Sequence, residues 1–203
     1  MRLGLPQCGN FAICLPGFKR ILVAVFLCPL AALFACRHEP ELAQGQPAQP
    51  LRVESSSFAN GGSIPAGNTC DGADISPALK WSVPPAGTRS IAIVMHDPDA
   101  LFDFTHWIVF NIPPGIQSLP EGASEQGGMP QGSSEGVNDF NEPKYGGPCP
   151  PGSKPHHYVL HVYALDLRLN LLEGASRKQL DPAISGHILA GGEITGTYRR
   201  SHR

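Results

Sequence analysis

The chain has little net charge: 15 Lys and Arg stand against 17 Asp and Glu, for a formal charge of -2 over 203 residues. No basic excess marks a nucleic-acid partner, and no acidic run marks a disordered partner tail. Metalloprotease HExxH and hydrolase GxSxG motifs are absent, and no Cys-Cys pair combines with a His pair at zinc-finger spacing. No internal repeat has a solenoid or propeller period. Long apolar runs are scarce. Only Ile21–Ala35 qualifies, and its fifteen residues fall short of the roughly 20 needed to span a bilayer. No basic amphipathic helix is legible, so membrane contact is expected only through an N-terminal lipid.

That apolar run follows Lys19 and Arg20 and ends in Leu33-Phe34-Ala35-Cys36. A positive flank, a short apolar core and a small residue before the cut describe a secretory signal. The last four residues resemble a lipobox, with Phe34 atypical, which makes Cys36 the expected lipidation site. Residues 1–36 are therefore read as signal peptide and residues 37–50, polar and Pro/Gln-rich, as a flexible linker. Residues 51–203 form the domain, long enough for one core. The expected location is the cell envelope, as a periplasm-facing lipoprotein, or otherwise secreted or periplasmic. Only Cys70 and Cys149 remain in the domain; in an oxidising compartment they pair, and otherwise they stay as buried thiols.

Gly (23) and Pro (21) are plentiful, which implies many turns and argues against a helical bundle. Ser90–Met95, His106–Ile112 and Tyr158–Leu165 are apolar, β-branched runs that read as buried strands. Leu79–Val83, Arg52–Phe58 and Gly192–Arg199 are further strand candidates, separated by turn-rich segments. Helix signals are few. Ser176 caps a short turn through Leu180, and Asp181-Pro182 reads as the N-cap and first residue of a helix running through Ile188 and Leu189. The expected fold is mainly β, a two-sheet antiparallel β-sandwich with one or two short helices near the C-terminus.

Three segments carry candidate chemistry. In His96-Asp97-Pro98-Asp99, at the end of a strand, Pro98 biases Asp97 to extended backbone and so aims it; the alternative is an ordinary Asx turn. His106 opens a buried strand and, by the period of two, shares a face with Ile108, Phe110 and Ile112; the alternative is a satisfied core histidine. Gly146-Gly147-Pro148-Cys149-Pro150-Pro151-Gly152 is a rigid loop with exposed glycine amides. After it, His156 and Tyr158 point one way and His157 the other. Imidazolium and phenol are both donors suited to a small oxyanion; the alternative is a solvated loop.

The segments CDGADISPALKW (Cys70–Trp81), DPDA (Asp97–Ala100), HWIVFNIP (His106–Pro113), YGGPCPP (Tyr145–Pro151), HHYVLHVYALD (His156–Asp166) and HILAGGEITGTYRR (His187–Arg200) occur in this order. Together they resemble the YbhB/YbcL branch of the phosphatidylethanolamine-binding proteins, also called Raf-kinase-inhibitor-like proteins, from about Val53 to Arg200. The resemblance implies a two-sheet β-sandwich with a pocket for phosphate, acetate or a phospholipid head group. By motif that pocket takes Asp97, Asp99, His106, Gly146, Gly147, Pro150, His156 and Tyr158. His157 stands where Arg is common, which matters only if that position faces the ligand.

Three functions are weighed. The first is a non-enzymatic binding protein for a small anionic ligand or phospholipid head group, with affinity that weakens as pH rises through the imidazole range. The second is a protease or kinase inhibitor, with an envelope protease the nearer partner. The third is an enzyme, either a hydrolase or a metal site built from His96, Asp97, Asp99 and His106. The first is preferred, with no cofactor and no metal expected.

Overall fold

A computed structural model of the chain describes residues 50–200. The signal peptide, Cys36 and nearly all of the linker lie outside the described residues.

Among the described residues eight strands form two antiparallel sheets. The smaller has the order β1 (Val53–Glu54), β2 (Leu79–Trp81), β5 (Ser118–Leu119). The larger has the order β6 (Ser134–Glu135), β4 (Phe104–Ile112), β3 (Ser90–Asp97), β7 (His156–Leu165), β8 (Ile188–Tyr198). β3 is flanked on both sides, by β4 and by β7. That central place is what its unbroken apolar run demands, because both faces are buried. Ile91, Ile93 and Met95 point toward the small sheet, into a core with Leu79, Trp81, Leu119, Leu160 and Val162. Ala92 and Val94 point the other way, into a second cluster with Ile108, Phe110, Leu180 and Ile184. Leu180 and Ile184 belong to the single described α-helix, α1 (Arg177–Ile184), which with the Leu165–Ala175 segment covers that outer face.

α1 differs from the sequence expectation. Ser176 is its cap: the Ser176 amide donates to Gln179 Oε1 at 3.0 Å, and Leu180 and Ile184, four apart, share the buried side. Asp181-Pro182 therefore lies within the helix rather than opening a second one. Pro182 supplies no N–H to the carbonyl one turn back, and the helix ends two residues later. Gly186 then adopts φ +81°, and Ile188 and Leu189 enter β8 instead of a helix.

β4 corrects a second expectation. Its pairing with β3 runs Met95 to Trp107, then His96 to Thr105, so β4 carries one extra residue at His106. A second irregularity lies between Ile91 and Ile93, where Asn111 has φ +60°. Each bulge reverses the alternation of faces. Ile108 and Phe110 stay on the α1 side, whereas Ile112 joins the core between the sheets and His106 turns toward β7 and Tyr158. The four residues do not share a face.

Candidate functional site

The bulge at His106 helps to make the site. At one end of the inter-sheet core lies a hollow of about 150 Å³, lined by Asp97, Ala100, Phe104, His106, Phe140, Cys149, Pro150, Pro151, His156 and Tyr158. Asp97 is the last residue of β3, while His156 and Tyr158 stand two apart at the start of the neighbouring strand β7. As the period of two requires, both are buried and His157 between them is exposed. The His106 and Tyr158 rings meet edge to face with centroids 5.2 Å apart.

The polar groups are held in one arrangement. Asp97 Oδ2 accepts from His156 Nδ1 at 2.7 Å, and its Oδ1 accepts from the amides of Asp99 and Ala100 at 2.9 and 3.1 Å. The Asx turn and the aimed carboxylate were weighed as alternatives, and one side chain does both. His106 Nδ1 donates to the Gly146 carbonyl at 2.7 Å. Both imidazoles thus carry their Nδ1 hydrogen toward the protein, which leaves Nε2 as the atom free to meet a ligand. The Tyr158 hydroxyl is fully buried beside the Asp97 carboxylate and makes no hydrogen bond of ordinary geometry within the protein.

Burial is the main influence on the proton affinities. It pushes the Tyr158 hydroxyl well above the usual phenol range, and the Asp97 charge adds to the shift, so Tyr158 remains a donor. Burial also lowers His106 below the usual imidazole value, against the opposing pull of the Gly146 carbonyl. His106 is therefore neutral at pH 7 in the empty site.

Three expected site residues lie elsewhere. Asp99 does not line the hollow; its Oδ2 accepts from the His157 amide at 2.8 Å and from His157 Nδ1 at 2.7 Å, and these bonds hold its carboxyl below the usual range. The two-residue step that puts Asp97 inside is a turn at Pro98, and the turn carries Asp99 outward. His157, at the position where Arg is common, faces outward with it. The amides of Gly146 and Gly147 are also spent within the protein. Gly146 N–H donates to the His106 carbonyl at 3.0 Å, and Gly147 N–H to Asp74 Oδ1 at 2.8 Å. These glycines serve close packing instead: a Cβ on Gly147 would stand 2.3 Å from Asp74 Oδ1, and one on Gly146 would stand 2.6 Å from the Phe140 ring. Pro150 does line the hollow.

Behind the loop stands the segment around Cys70, for which the sequence offered only the possible bridge to Cys149. Tyr145 Oη donates to the Asn68 carbonyl at 2.6 Å, Cys70 N–H to the Pro148 carbonyl at 3.2 Å, and a disulfide joins Cys70 to Cys149. Phe104, Phe140 and Pro151, the apolar walls, were also missed; Phe140 and Pro151 lie in loops, where no periodicity marks a lining residue. The metal set weighed from sequence does not assemble. His96 and Asp97 are neighbours on β3 and point to opposite faces, and among the described residues no group of three or more His, Cys, Asp or Glu is placed to hold a metal ion.

A β-sandwich with a small, half-apolar hollow at one end of its core is the frame of a ligand-binding domain. The family model described as phosphatidylethanolamine-binding protein matches residues 54–199. The chain belongs to that family. It is 43% identical over 190 residues to the UPF0098 protein PH1269 of Pyrococcus horikoshii, covering 91% of this chain and 92% of that one. Among solved structures it resembles E. coli YbcL, a member of the mammalian PEBP family, with TM-score 0.71, 33% identity, and coverage of 75% of this chain and 100% of that one. It also resembles a PEBP homologue, CT736 of Chlamydia trachomatis, with TM-score 0.68, 35% identity, and coverage of 75% and 99%.

Proposed function

We propose that the protein is a non-enzymatic binding protein whose hollow takes the phosphate or carboxylate group of a small ligand or a phospholipid head. One observation carries the reading: the buried Tyr158 hydroxyl, without a well-formed hydrogen bond in the protein, lines the same hollow as His156 and His106. An unmet buried hydroxyl costs about 1–3 kcal/mol, a cost that a ligand oxygen would remove. Tyr158 donates to that oxygen, and His156, its Nδ1 held by Asp97, turns Nε2 toward it, a donor only when the ring carries both hydrogens. Neutral His106 presents a lone pair instead. It therefore suits a ligand that brings a proton, as a monohydrogen-bearing phosphate or a carboxylic acid does, or it must take up a proton on binding. Monohydrogen phosphate keeps its own proton at the higher pH; with a carboxylic acid, or where an imidazole must take up a proton on binding, the complex holds a proton that the separate partners at high pH do not. Phe104, Phe140, Pro150 and Pro151 keep water from the short hydrogen bonds and raise their worth.

Calorimetric titration with inorganic phosphate and with acetate, at about pH 5.5 and about pH 8 to bracket the free imidazole value, tests the site. Affinity is expected to be higher at the lower pH and to drop in His156→Ala. Equal affinity at both pH values removes the mechanism. The envelope location is part of the proposal: Cys36 is the acceptor of the lipid, and labelling with a radioactive fatty acid should be lost in Cys36→Ser.

A further inference from the structure

The bulge at His106 interrupts the regular ladder, so the place of its ring depends on contacts outside the β3–β4 pair. His106 and Gly146 share two hydrogen bonds: His106 Nδ1 donates to the Gly146 carbonyl at 2.7 Å, and the Gly146 amide donates to the His106 carbonyl at 3.0 Å. Trp107 follows His106 in the chain, and Tyr145 precedes Gly146. Both side chains are fully buried, and their rings meet edge to face with centroids 5.7 Å apart. Whatever fixes Trp107 and Tyr145 therefore fixes the two residues that pair beside the hollow.

Both are tied to one atom. Glu135 Oε1, on the edge strand β6, accepts from the Trp107 indole N–H at 2.7 Å and from the Ser124 hydroxyl at 2.6 Å. The Ser124 hydroxyl oxygen in turn accepts the Tyr145 amide N–H at 2.9 Å. Ser124 is held from behind as well. Its amide donates to Ser76 Oγ at 3.1 Å, and the Ser76 hydroxyl donates to Glu125 Oε2 at 3.1 Å. For the fold alone this is a poor place for a carboxyl. Burial raises its proton affinity, the bonds from Ser124 and Trp107 oppose that, and the Glu125 and Glu173 charges add to it. Local choices that work against the fold are expected where a site needs them.

We propose that Glu135 is a positioning residue of the hollow. Through Trp107 on one side, and through Ser124 and Tyr145 on the other, it holds His106 against Gly146 and so keeps His106 Nε2 turned toward the ligand. Glu135 does not itself line the hollow. The inference rests on the reading of the hollow as an anion site and adds to it a residue that acts from outside. Both bonds end on the same oxygen. A glutamine whose carbonyl oxygen takes that place keeps both, whereas alanine keeps neither.

Inorganic phosphate, titrated calorimetrically into the full-length chain, should bind Glu135→Ala about tenfold more weakly than the wild type, the step that losing roughly one such hydrogen bond makes. Glu135→Gln should bring affinity back to within about threefold, well short of that step. In the ligand-free protein the NMR ring resonances of His106 should move in Glu135→Ala and stay in Glu135→Gln. Those of His187, which precedes the far end of β8, should stay in both. Ser124→Ala cuts the Tyr145 branch alone and serves if Glu135→Ala does not fold; it too should move His106 and weaken phosphate. Undiminished affinity with unmoved His106 resonances in Glu135→Ala or Ser124→Ala would overturn the inference, as would a Glu135→Gln no better than Glu135→Ala. A wild type that binds no phosphate would instead strike the proposed function, and the His106 resonances would still decide the place of Glu135.

Discussion

Asp97 at the end of β3 and His156 at the start of β7 are joined across the hollow by a 2.7 Å hydrogen bond, with both side chains more than nine-tenths buried. The carboxylate also caps its own turn through the amides of Asp99 and Ala100. One side chain therefore fixes a ring and a loop at once. Asp97→Ala should destabilise the domain by about 1–3 kcal/mol or more, because it leaves a buried imidazole N–H and two amides without their acceptor. Urea unfolding of the two proteins measures it. A loss under about 0.5 kcal/mol, the range of an ordinary surface change, would mean that the bond contributes nothing.

Tyr158 separates stability from binding. Its hydroxyl makes no hydrogen bond of ordinary geometry within the protein. Tyr158→Phe should leave stability unchanged or slightly raised, within about 0.5 kcal/mol. The same change should cost phosphate about 1.5–3 kcal/mol of affinity, tenfold or more, because a bond to a charged group is lost. A variant that loses stability but not affinity would place the hydroxyl's role in the fold.

His106 should make stability depend on pH. Burial lowers its proton affinity in the folded protein. The unfolded chain, with an ordinary value of about 6.5, then binds the proton more readily. The contribution is present in full above that value and is lost as pH falls toward and through the folded value. The unfolding midpoint of the wild type should therefore fall, on acidification from about pH 7.5, more than that of His106→Gln. Added phosphate should reduce the difference, because an anion in the hollow favours protonated His106. Parallel pH profiles for the two proteins would refute the assignment.

Much of this was legible in the sequence, for physical reasons that differ by element. β3 and β7 are rich in β-branched and apolar residues and buried on one or both faces, so their runs stand out without any knowledge of partners. The inward pair His156 and Tyr158 follows from the period of two in an unbroken strand. β4 misled the same rule, because a bulge exists only relative to the partner strand; its two bulges depend on register with β3. Asn111, a residue type that tolerates positive φ, was the one local hint. Asp181-Pro182 fits a helix start as well as a helix interior, and the choice was made by the Ser176–Gln179 cap upstream. Asp99 was drawn into the site by its motif, although its outward direction is set by the turn at Pro98 and the bond to His157.

The disulfide gives the loop of the hollow its last test. Cys70 and Cys149 are 79 residues apart, and Cys149 itself lines the hollow. Closing a loop of that length in the unfolded chain stabilises the fold by roughly 2–4.5 kcal/mol on the chain-entropy account. Cys70→Ser with Cys149→Ser should lose stability of that order. Three hydrogen bonds nevertheless still tie the loop to the segment beneath it, from Tyr145 to Asn68, Cys70 to Pro148 and Gly147 to Asp74. The folded double variant should therefore keep its hollow and bind phosphate within about threefold of the wild type, well under the tenfold that about 1.4 kcal/mol represents. Denaturant unfolding and calorimetry on the same preparation measure both quantities. Intact stability with lost binding would invert the assignment, making the disulfide a support of the hollow rather than of the fold.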